Sequence, residues 1–218
     1  MKRTARIGTW VIVVAGLLGA VAAVQERVSA FKSPRWLKER MSYLPRSEAI
    51  EPYLLGFSTT FANYLWIRTT LYFGSHYASD RDFPWLVQMV DMVTELNPYF
   101  YPAYEFAGLL VPRYGHNPDA ARAILARGIT YLGDRRWNLY FYMGMVYYLD
   151  YDDKRTAADY FAMGARLPSP HQHKLVRLAA SFYRQSGAEH GARDFLQMVY
   201  RSVEDPMVRR VVAERLGE

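Results

Sequence analysis

Residues 140–147 read Tyr-Phe-Tyr-Met-Gly-Met-Val-Tyr, with Gly144 set between large side chains at Tyr140, Met143 and Tyr147. Where the two helices of a hairpin cross closely, only glycine or alanine leaves room for the other backbone, and large flanking residues fill the space around the crossing. Related arrangements recur at spacings of 34, 36 and 36 positions, with small residues at Gly74, Gly108, Gly144 and Ala180. The spacing predicts a helical hairpin repeated about four times.

The second helix of each hairpin is predicted from a small residue placed twelve or thirteen positions after the first one. In three hairpins a bulky apolar residue follows four positions later, in the pairs Ala120 and Ile124, Ala157 and Phe161, and Ala192 and Leu196. The first hairpin departs from this pattern, because Leu86 stands where alanine is expected, although Val90 and Val93 keep the apolar spacing. No stretch alternates convincingly with period two, so the chain is predicted to be all-α.

Glycine, proline and aspartate mark the predicted turns. They fall within the hairpins at residues 80–84, 115–118, 150–153 and 186–187, and between hairpins at 97–98, 133–134, 168–170 and 205–206. The repeat domain is therefore predicted over residues 47–204, where the apolar start, 47–65, extends the first helix or adds one before it. Residues 205–218 contain an amphipathic stretch that is predicted to form a C-terminal capping helix, since the end of a solenoid needs a polar cover.

Over about residues 65–200 the chain resembles the tetratricopeptide repeat family, through these recurring positions and the Leu96-Asn97-Pro98 ending of the first repeat. The resemblance implies an α-solenoid of about four helical hairpins whose first helices line a concave, protein-binding face. Some members hold carboxylate termini with a Lys/Asn/Arg clamp. This sequence lacks the paired Asn residues of that clamp, so the clamp is not part of the prediction.

The resemblance places partner-facing positions on the first helix of each hairpin, opposite the small residues. Five of the six charged positions are basic, so an acidic segment or a free C-terminal carboxylate of a protein partner is complementary. The competing interpretation is a basic face that only keeps the surface solvated. The candidate partner groove consists of Arg68, Glu105, Arg113, Asn138, Phe141, Tyr148, Lys174, Arg177 and Arg184, with Leu71, Ser75, Leu109, Met145 and Ser181 beside them.

The N-terminus carries a hydrophobic segment. Residues 7–24 contain no charged side chain, and a helix of that length extends about 27 Å, close to the hydrocarbon thickness of a bilayer. We predict an N-terminal transmembrane helix within residues 1–24 and a basic juxtamembrane linker over residues 25–46. We favour an uncleaved signal anchor in the inner membrane, with the repeat domain on the periplasmic side.

Two alternatives to this anchor stay open. A signal peptide cleaved after Ala22 fits the small residues at Ala20 and Ala22. The reverse orientation, with the repeat domain in the cytoplasm, is also compatible with the sequence, because lysine and arginine flank the segment on both sides and do not decide its direction.

Composition argues against several kinds of site. The 218 residues suit one domain plus an appended segment, and the net charge is +6, of which Lys2, Arg3 and Arg6 supply three. That charge is too small to indicate a nucleic-acid partner. The chain has no cysteine, which excludes disulfides, thiolate catalysis and zinc–sulfur sites.

Motifs for catalysis and metal binding are weak or absent. His171 and His173 lie in a proline-flanked turn without a nearby carboxylate or cysteine. Residues 150–153 carry three aspartates but lack the glycine and glutamate of a calcium loop, so we predict that an aspartate there caps a helix. Phosphate loops, nucleophile elbows and zinc-binding helix motifs are missing from the sequence. We predict no enzyme activity, no cofactor and no metal.

These expectations converge on binding. We predict a scaffold, assembly factor or accessory subunit of a membrane-associated complex, such as pilus, secretion or electron-transfer machinery, which binds protein partners through its repeat surfaces. The alternative hypothesis is a cleaved, soluble exported chaperone or peptide-binding protein.

Overall fold

The computed structural model describes residues 14, 16–21, 23, 47–203 and 205–216. The chain divides into two units, Met1–Leu44 and Pro45–Glu218, and the predicted repeat domain lies in the second. Every regular element in the described ranges is helical, and no strand occurs in them. The all-α prediction is confirmed.

A short helical stretch, Ser47–Ile50, leads into a 3-10 turn, Glu51–Leu54, and then into nine longer helices within the described part of the second unit. Consecutive helices pack against each other in adjacent pairs, which is consistent with an α-solenoid. The nine are α1 (Ser58–Tyr77), α2 (Leu86–Leu96), α3 (Tyr101–Tyr114), α4 (Pro118–Leu132), α5 (Trp137–Asp150), α6 (Lys154–Ala165), α7 (Gln172–Gln185), α8 (Glu189–Ser202) and α9 (Pro206–Leu216).

The predicted turns fall between these helices, and those within the pairs share a backbone feature. Each of them contains one residue with left-handed φ: Arg81 (56°), His116 (48°), Asp152 (50°) and Gly187 (74°). Such a φ is uncommon outside glycine and reverses the chain tightly. The four residues lie 35 or 36 positions apart, so the hairpin repeats in its backbone as well as in its sequence.

Two of these turns also start the next helix with a side-chain cap. The Asn117 Oδ1 accepts a hydrogen bond from the Ala120 N–H at 2.9 Å, and the Asp153 Oδ1 accepts one from the Thr156 N–H at 2.9 Å. Hydrogen bonds from the Thr156 hydroxyl and N–H lower the pKa of Asp153. The predicted capping role of an aspartate in residues 150–153 is confirmed and belongs to Asp153.

The core lies between the paired helices and continues into α9. Its largest fully buried side chains include Tyr104 on α3 and Phe161 on α6. Val208 and Val212 of α9 are buried in the same cluster as residues of α7 and α8. Helix α9 therefore covers the last pair through its apolar face, as the amphipathic pattern predicted.

Three of the four small residues are closely packed or buried, but only Gly144 is shown to meet the second helix of its own pair most closely, as predicted. A Cβ added at Gly108 would lie 2.6 Å from the Tyr142 Cβ, and one at Gly144 would lie 2.6 Å from the Phe161 Cε1. Ala180 is buried. The opposing helix differs between the two glycines, because Gly144 faces the second helix of its own pair and Gly108 faces α5 of the next pair.

Two parts of the predicted register are wrong. Gly74 is exposed, and a Cβ there would meet nothing within 4 Å. Instead, α1 faces its partner with one buried row, consisting of Ala62, Leu65, Thr69 and Tyr72. On α4 the alanine that is fully buried is Ala121, whereas Ala120, the predicted small residue, is half-buried.

Arg127 of α4 ties the second helices of two pairs together. Its guanidinium donates to the Asp91 carboxylate at 2.8 Å, to the buried Thr94 hydroxyl at 2.6 Å and to the Glu95 carboxylate at 3.1 Å, all on α2. The Ser47 hydroxyl also donates to Glu95. This network links the start of the unit, α2 and α4.

Arg127→Met is expected to lower the free energy of unfolding by about 1–2 kcal/mol, because the methionine keeps the aliphatic stem but removes several charge-assisted hydrogen bonds at a half-buried site. Chemical denaturation measures this loss in the free energy of unfolding. Arg135→Met is the control, since that side chain is 81% exposed. Equal stability of the two variants would contradict the proposed role of the network.

Most of the N-terminal prediction concerns residues that the structure does not describe. The predicted transmembrane helix (residues 1–24) is described only at residues 14, 16–21 and 23, which are helical and exposed. The linker, 25–46, and the last two residues of the capping segment, 217–218, lie outside the described residues. Among the described residues, no helix is long and apolar enough to cross a membrane.

Candidate protein-binding face

The odd-numbered helices α1, α3, α5 and α7 lie next to one another and form what we term the odd-helix face. Trp66 of α1 and Phe106 of α3 meet edge-to-face with ring centroids 5.3 Å apart. Helices α3 and α5 pack directly. Tyr148 of α5 and Phe182 of α7 meet edge-to-face at 4.7 Å. The predicted partner positions lie along these four helices.

A groove of about 560 Å³ runs between α3 and α5 on this face. Its lining is mostly apolar, and four of the residues placed in or beside the predicted groove meet there: Leu109, Arg113, Phe141 and Met145. The remaining walls come from Gly108, Pro112, Tyr142, Val146, Leu149 and Asp150. An apolar groove with a few polar groups at its edge is typical of a site for a peptide or helix.

Polar groups at the edge of the groove come from both helices. Pro112 has no N–H to donate to the Gly108 carbonyl four positions earlier, so that helical hydrogen bond is missing within the groove wall. Burial raises the pKa of Asp150, and the nearby Arg113 acts in the opposite direction. The groove therefore has a cation and a carboxylate beside its apolar floor.

Glu105, also placed in the predicted groove, already has partners within the fold. Its carboxylate accepts a hydrogen bond from the Tyr142 hydroxyl at 3.0 Å. Burial, followed by this hydrogen bond, raises the pKa of Tyr142 to about 12. Burial and a hydrogen bond with Glu105 also raise the pKa of Tyr101, whose ring lies 4.4 Å below the Arg136 guanidinium. Glu105 therefore connects α3 to α5.

Three predicted positions on α5 are half-buried. Phe141 packs against Phe161 with centroids 5.9 Å apart, and Tyr148 packs against Phe182. These rings are partly in the core and partly at the surface, so they shape the walls of the face. Asn138 is half-buried near the start of the same helix.

The four remaining predicted positions are basic. Arg68 is half-buried on α1, and Lys174, Arg177 and Arg184 are exposed on α7. The sequence pattern missed a fourth cation beside α7, Arg215 of α9. Its pKa is lowered by burial and then by the positive charges of Arg184 and Arg177.

These charges on α7 and α9 form an arginine cluster, Arg177, Arg184 and Arg215. None of the three makes an ion pair or side-chain hydrogen bond with another described residue. Among the described residues, Glu214 is the acidic side chain whose charge acts on Arg215. Like charges held together without counter-ions destabilise a fold and attract anionic groups. The cluster, which combines two arginines of α7 with one of the neighbouring α9, therefore favours an anionic partner at the α7 end of the odd-helix face.

Residues considered for metal binding do not come together. No group of three or more His, Asp or Glu side chains able to hold a metal ion occurs in the described residues. His171 packs edge-to-face on Trp137 at 5.6 Å, so its ring contributes to packing at the start of α7.

Comparison with protein-family models, with curated proteins and with solved structures found no match to this chain. The resemblance to tetratricopeptide repeats therefore rests on the spacing of residues in the sequence.

Proposed function

We propose that this chain is a tetratricopeptide-like scaffold, assembly factor or accessory subunit of a membrane-associated complex, and that it binds a protein partner through the odd-helix face. The observation that carries the proposal is the arginine cluster, whose members make no ion pair with another described residue. The apolar groove between α3 and α5 supports it by offering a place for the side chains of a peptide.

The repeat assignment is part of this proposal. Four helix pairs with one left-handed residue in each internal turn, 35 or 36 positions apart, support four hairpins of one kind. The anchor is a proposal from the uncharged stretch of residues 7–24. We propose with it that the repeat domain lies at the inner membrane, on its periplasmic side, where an anchor raises the local concentration of partners.

The partner chemistry follows from charge and shape. Exposed arginines without counter-ions favour a carboxylate-rich segment or a free C-terminal carboxylate, because each carboxylate accepts paired hydrogen bonds from a guanidinium. The apolar groove favours a segment that also carries aliphatic or aromatic side chains. An acidic amphipathic peptide combines both properties.

The binding proposal is tested by affinity purification of the full chain in mild detergent, followed by mass spectrometry. We compare the wild type with Arg177→Glu/Arg184→Glu, and use Arg135→Glu as the control because Arg135 is highly exposed in the turn between α4 and α5. A partner that is retained by the control and lost from the double variant supports the proposal. Recovery of the wild type as a lone monomer contradicts the accessory-subunit function.

The same double variant makes a prediction about stability. Reversing two of three neighbouring positive charges replaces repulsion by attraction toward Arg215. We therefore expect Arg177→Glu/Arg184→Glu to unfold at the same temperature as the wild type or up to a few degrees higher, while partner binding falls at least tenfold. Thermal unfolding by circular dichroism checks the first part. A lower unfolding temperature would indicate that the arginines serve the fold and not a partner.

A cleaved, soluble exported chaperone remains the second candidate, because Ala20 and Ala22 fit a cleavage site. N-terminal sequencing of the protein from membranes separates the two. A mature start at Ala23 removes the anchor, whereas a retained Met1 supports it.

A further inference from the structure

Helix α1 carries an exposed apolar face at the beginning of the repeat domain. Three large residues, Tyr64, Ile67 and Leu71, are each more than half exposed and lie on one side of the helix. The preceding turn adds Leu55 and other apolar side chains, and Leu55 is 84% exposed. We define the α1 patch as Tyr53, Leu55, Phe57, Tyr64, Ile67 and Leu71. Leu71 therefore belongs to this patch and not to the candidate partner groove, beside which the sequence pattern placed it.

The other two sides of α1 are occupied. Leu65 and Tyr72 are buried on the side that faces α2. Phe73 packs edge-to-face on Phe106 and on Tyr114, both of α3, with centroids 5.3 Å apart in each case. The α1 patch is therefore a third side, and it remains exposed in the described fold.

The turn before α1 is held in an unusual conformation. Leu55 has φ 47° and Gly56 has φ 88°. Left-handed φ is unfavourable for leucine, whose Cβ crowds the backbone there. Because the Leu55 side chain is almost fully exposed, the fold gains little burial from it. An exposed leucine in an unfavourable backbone conformation is better explained by contact with a binding partner than by a contribution to the core.

Charge is nearly absent from this region. Between Glu51 and Asp80, the only side chain with a formal charge at pH 7 is Arg68, and His76 pairs with Asp80 at 2.6 Å. Tyrosine is the commonest aromatic residue of the patch. Tyrosine with aliphatic neighbours and few charges is typical of a surface at the level of lipid headgroups.

We propose that the α1 patch lies on the lipid bilayer surface. The inference rests on the proposed membrane attachment. The patch begins seven residues after the linker, 25–46, ends, and that linker reaches at most about 75 Å when fully extended. An anchor in residues 7–24 therefore keeps the patch within reach of the bilayer, where insertion of Leu55 and Leu71 removes apolar surface from water.

A second copy of the chain fits the patch less well. Helix α1 has 20 residues and is about 30 Å long, so an apolar stripe about 10 Å wide offers roughly 300 Å². A stable dimer buries about 800 Å² on each partner. A lipid surface has no such minimum, because the anchor already holds the chain there.

The absence of cysteine from the chain allows a direct test with single-cysteine variants of the full protein. Leu55→Cys and Leu71→Cys are labelled with the environment-sensitive fluorophore NBD and reconstituted in vesicles of phosphatidylcholine with a quarter phosphatidylglycerol. Met163→Cys on α6 is the control, since Met163 is 45% exposed. Quenching by lipids that carry a nitroxide near the headgroup is then measured.

We expect quenching at positions 55 and 71 to be at least twofold stronger than at the control position, with emission shifted to shorter wavelength. Quenching equal to that of the control overturns the proposal. So does shifted emission without lipid quenching, because it indicates a protein neighbour such as a second copy. Circular dichroism of the labelled variants confirms that each is folded.

Flotation of the vesicles after an alkaline wash distinguishes failure of the anchor from failure of the docked patch. A chain that floats but is not quenched keeps the proposed anchor and rejects the docked patch. A chain that is washed off, yet was quenched at neutral pH before the wash, rejects the anchor and supports docking of the patch by itself.

Discussion

Gly108→Leu is expected to lower the free energy of unfolding by more than about 3 kcal/mol, because even the first side-chain carbon has no space. A Cβ at this position would lie 2.6 Å from the Tyr142 Cβ and 2.9 Å from the Tyr142 Cγ. The Tyr142 Cβ is fixed by the α5 backbone and cannot rotate away from the new side chain. The leucine therefore forces α3 and α5 apart and opens the groove between them.

Gly74→Leu is the matched control. Gly74 lies inside α1, and a Cβ there would meet nothing within 4 Å. Because glycine is the poorest non-proline residue in a helix interior, this substitution is expected to stabilise the protein by roughly 0.5–1 kcal/mol. The same chemical change thus has opposite signs at two positions that look equivalent in the sequence.

Urea denaturation of the two variants, followed by circular dichroism, measures both effects. Similar midpoints for Gly108→Leu and the wild type would show that α3 and α5 do not cross at Gly108. A large loss of stability in Gly74→Leu would restore the register predicted from the sequence, in which all four small residues lie at helix crossings.

The sequence was sufficient to predict the helices and turns because proline, glycine and aspartate act locally. It was insufficient for the first pair, where a 34-residue spacing pointed to Gly74. Leu86, fully buried where alanine was expected, was the available signal.

The sequence predicted that the candidate binding residues lie on the first helices of the pairs, but it did not predict their contacts. Glu105 had the right spacing, yet the hydroxyls of Tyr101 and Tyr142 reach it from neighbouring turns and helices. Arg215 was missed because it lies 31 positions after Arg184, and only the packing of α9 brings their charges together. Helical spacing identifies residues on one face, whereas tertiary contacts decide which of them stay unpaired.

Gly144 differs from Gly108 in a way that can be measured. A Cβ at Gly144 would meet three atoms of one ring, the Phe161 Cε1 at 2.6 Å, Cδ1 at 2.8 Å and Cζ at 3.0 Å. Phe161 is fully buried, so the ring has no room to move away. Gly144→Ala is therefore expected to cost about 1–3 kcal/mol by overpacking, and Phe161→Leu about 1–2 kcal/mol through lost burial.

The double variant Gly144→Ala/Phe161→Leu is expected to be more stable than the sum of these losses predicts, by about 1 kcal/mol or more, because leucine removes the ring atoms that the new methyl group meets. The corresponding cycle at Gly108→Ala and Tyr142→Leu is the control. There the nearest atom is the Tyr142 Cβ, which leucine retains, so relief is expected to be much smaller. Urea denaturation of the six variants and the wild type gives both coupling energies.

Equal coupling in the two cycles would mean that the rings, and not the backbone separation, set the approach of α3 to α5. Strong coupling only at Gly144 would mean that a side chain, Phe161, limits how closely the two helices of the third pair approach. Between the second and third pairs, the backbones of α3 and α5 would themselves limit the distance.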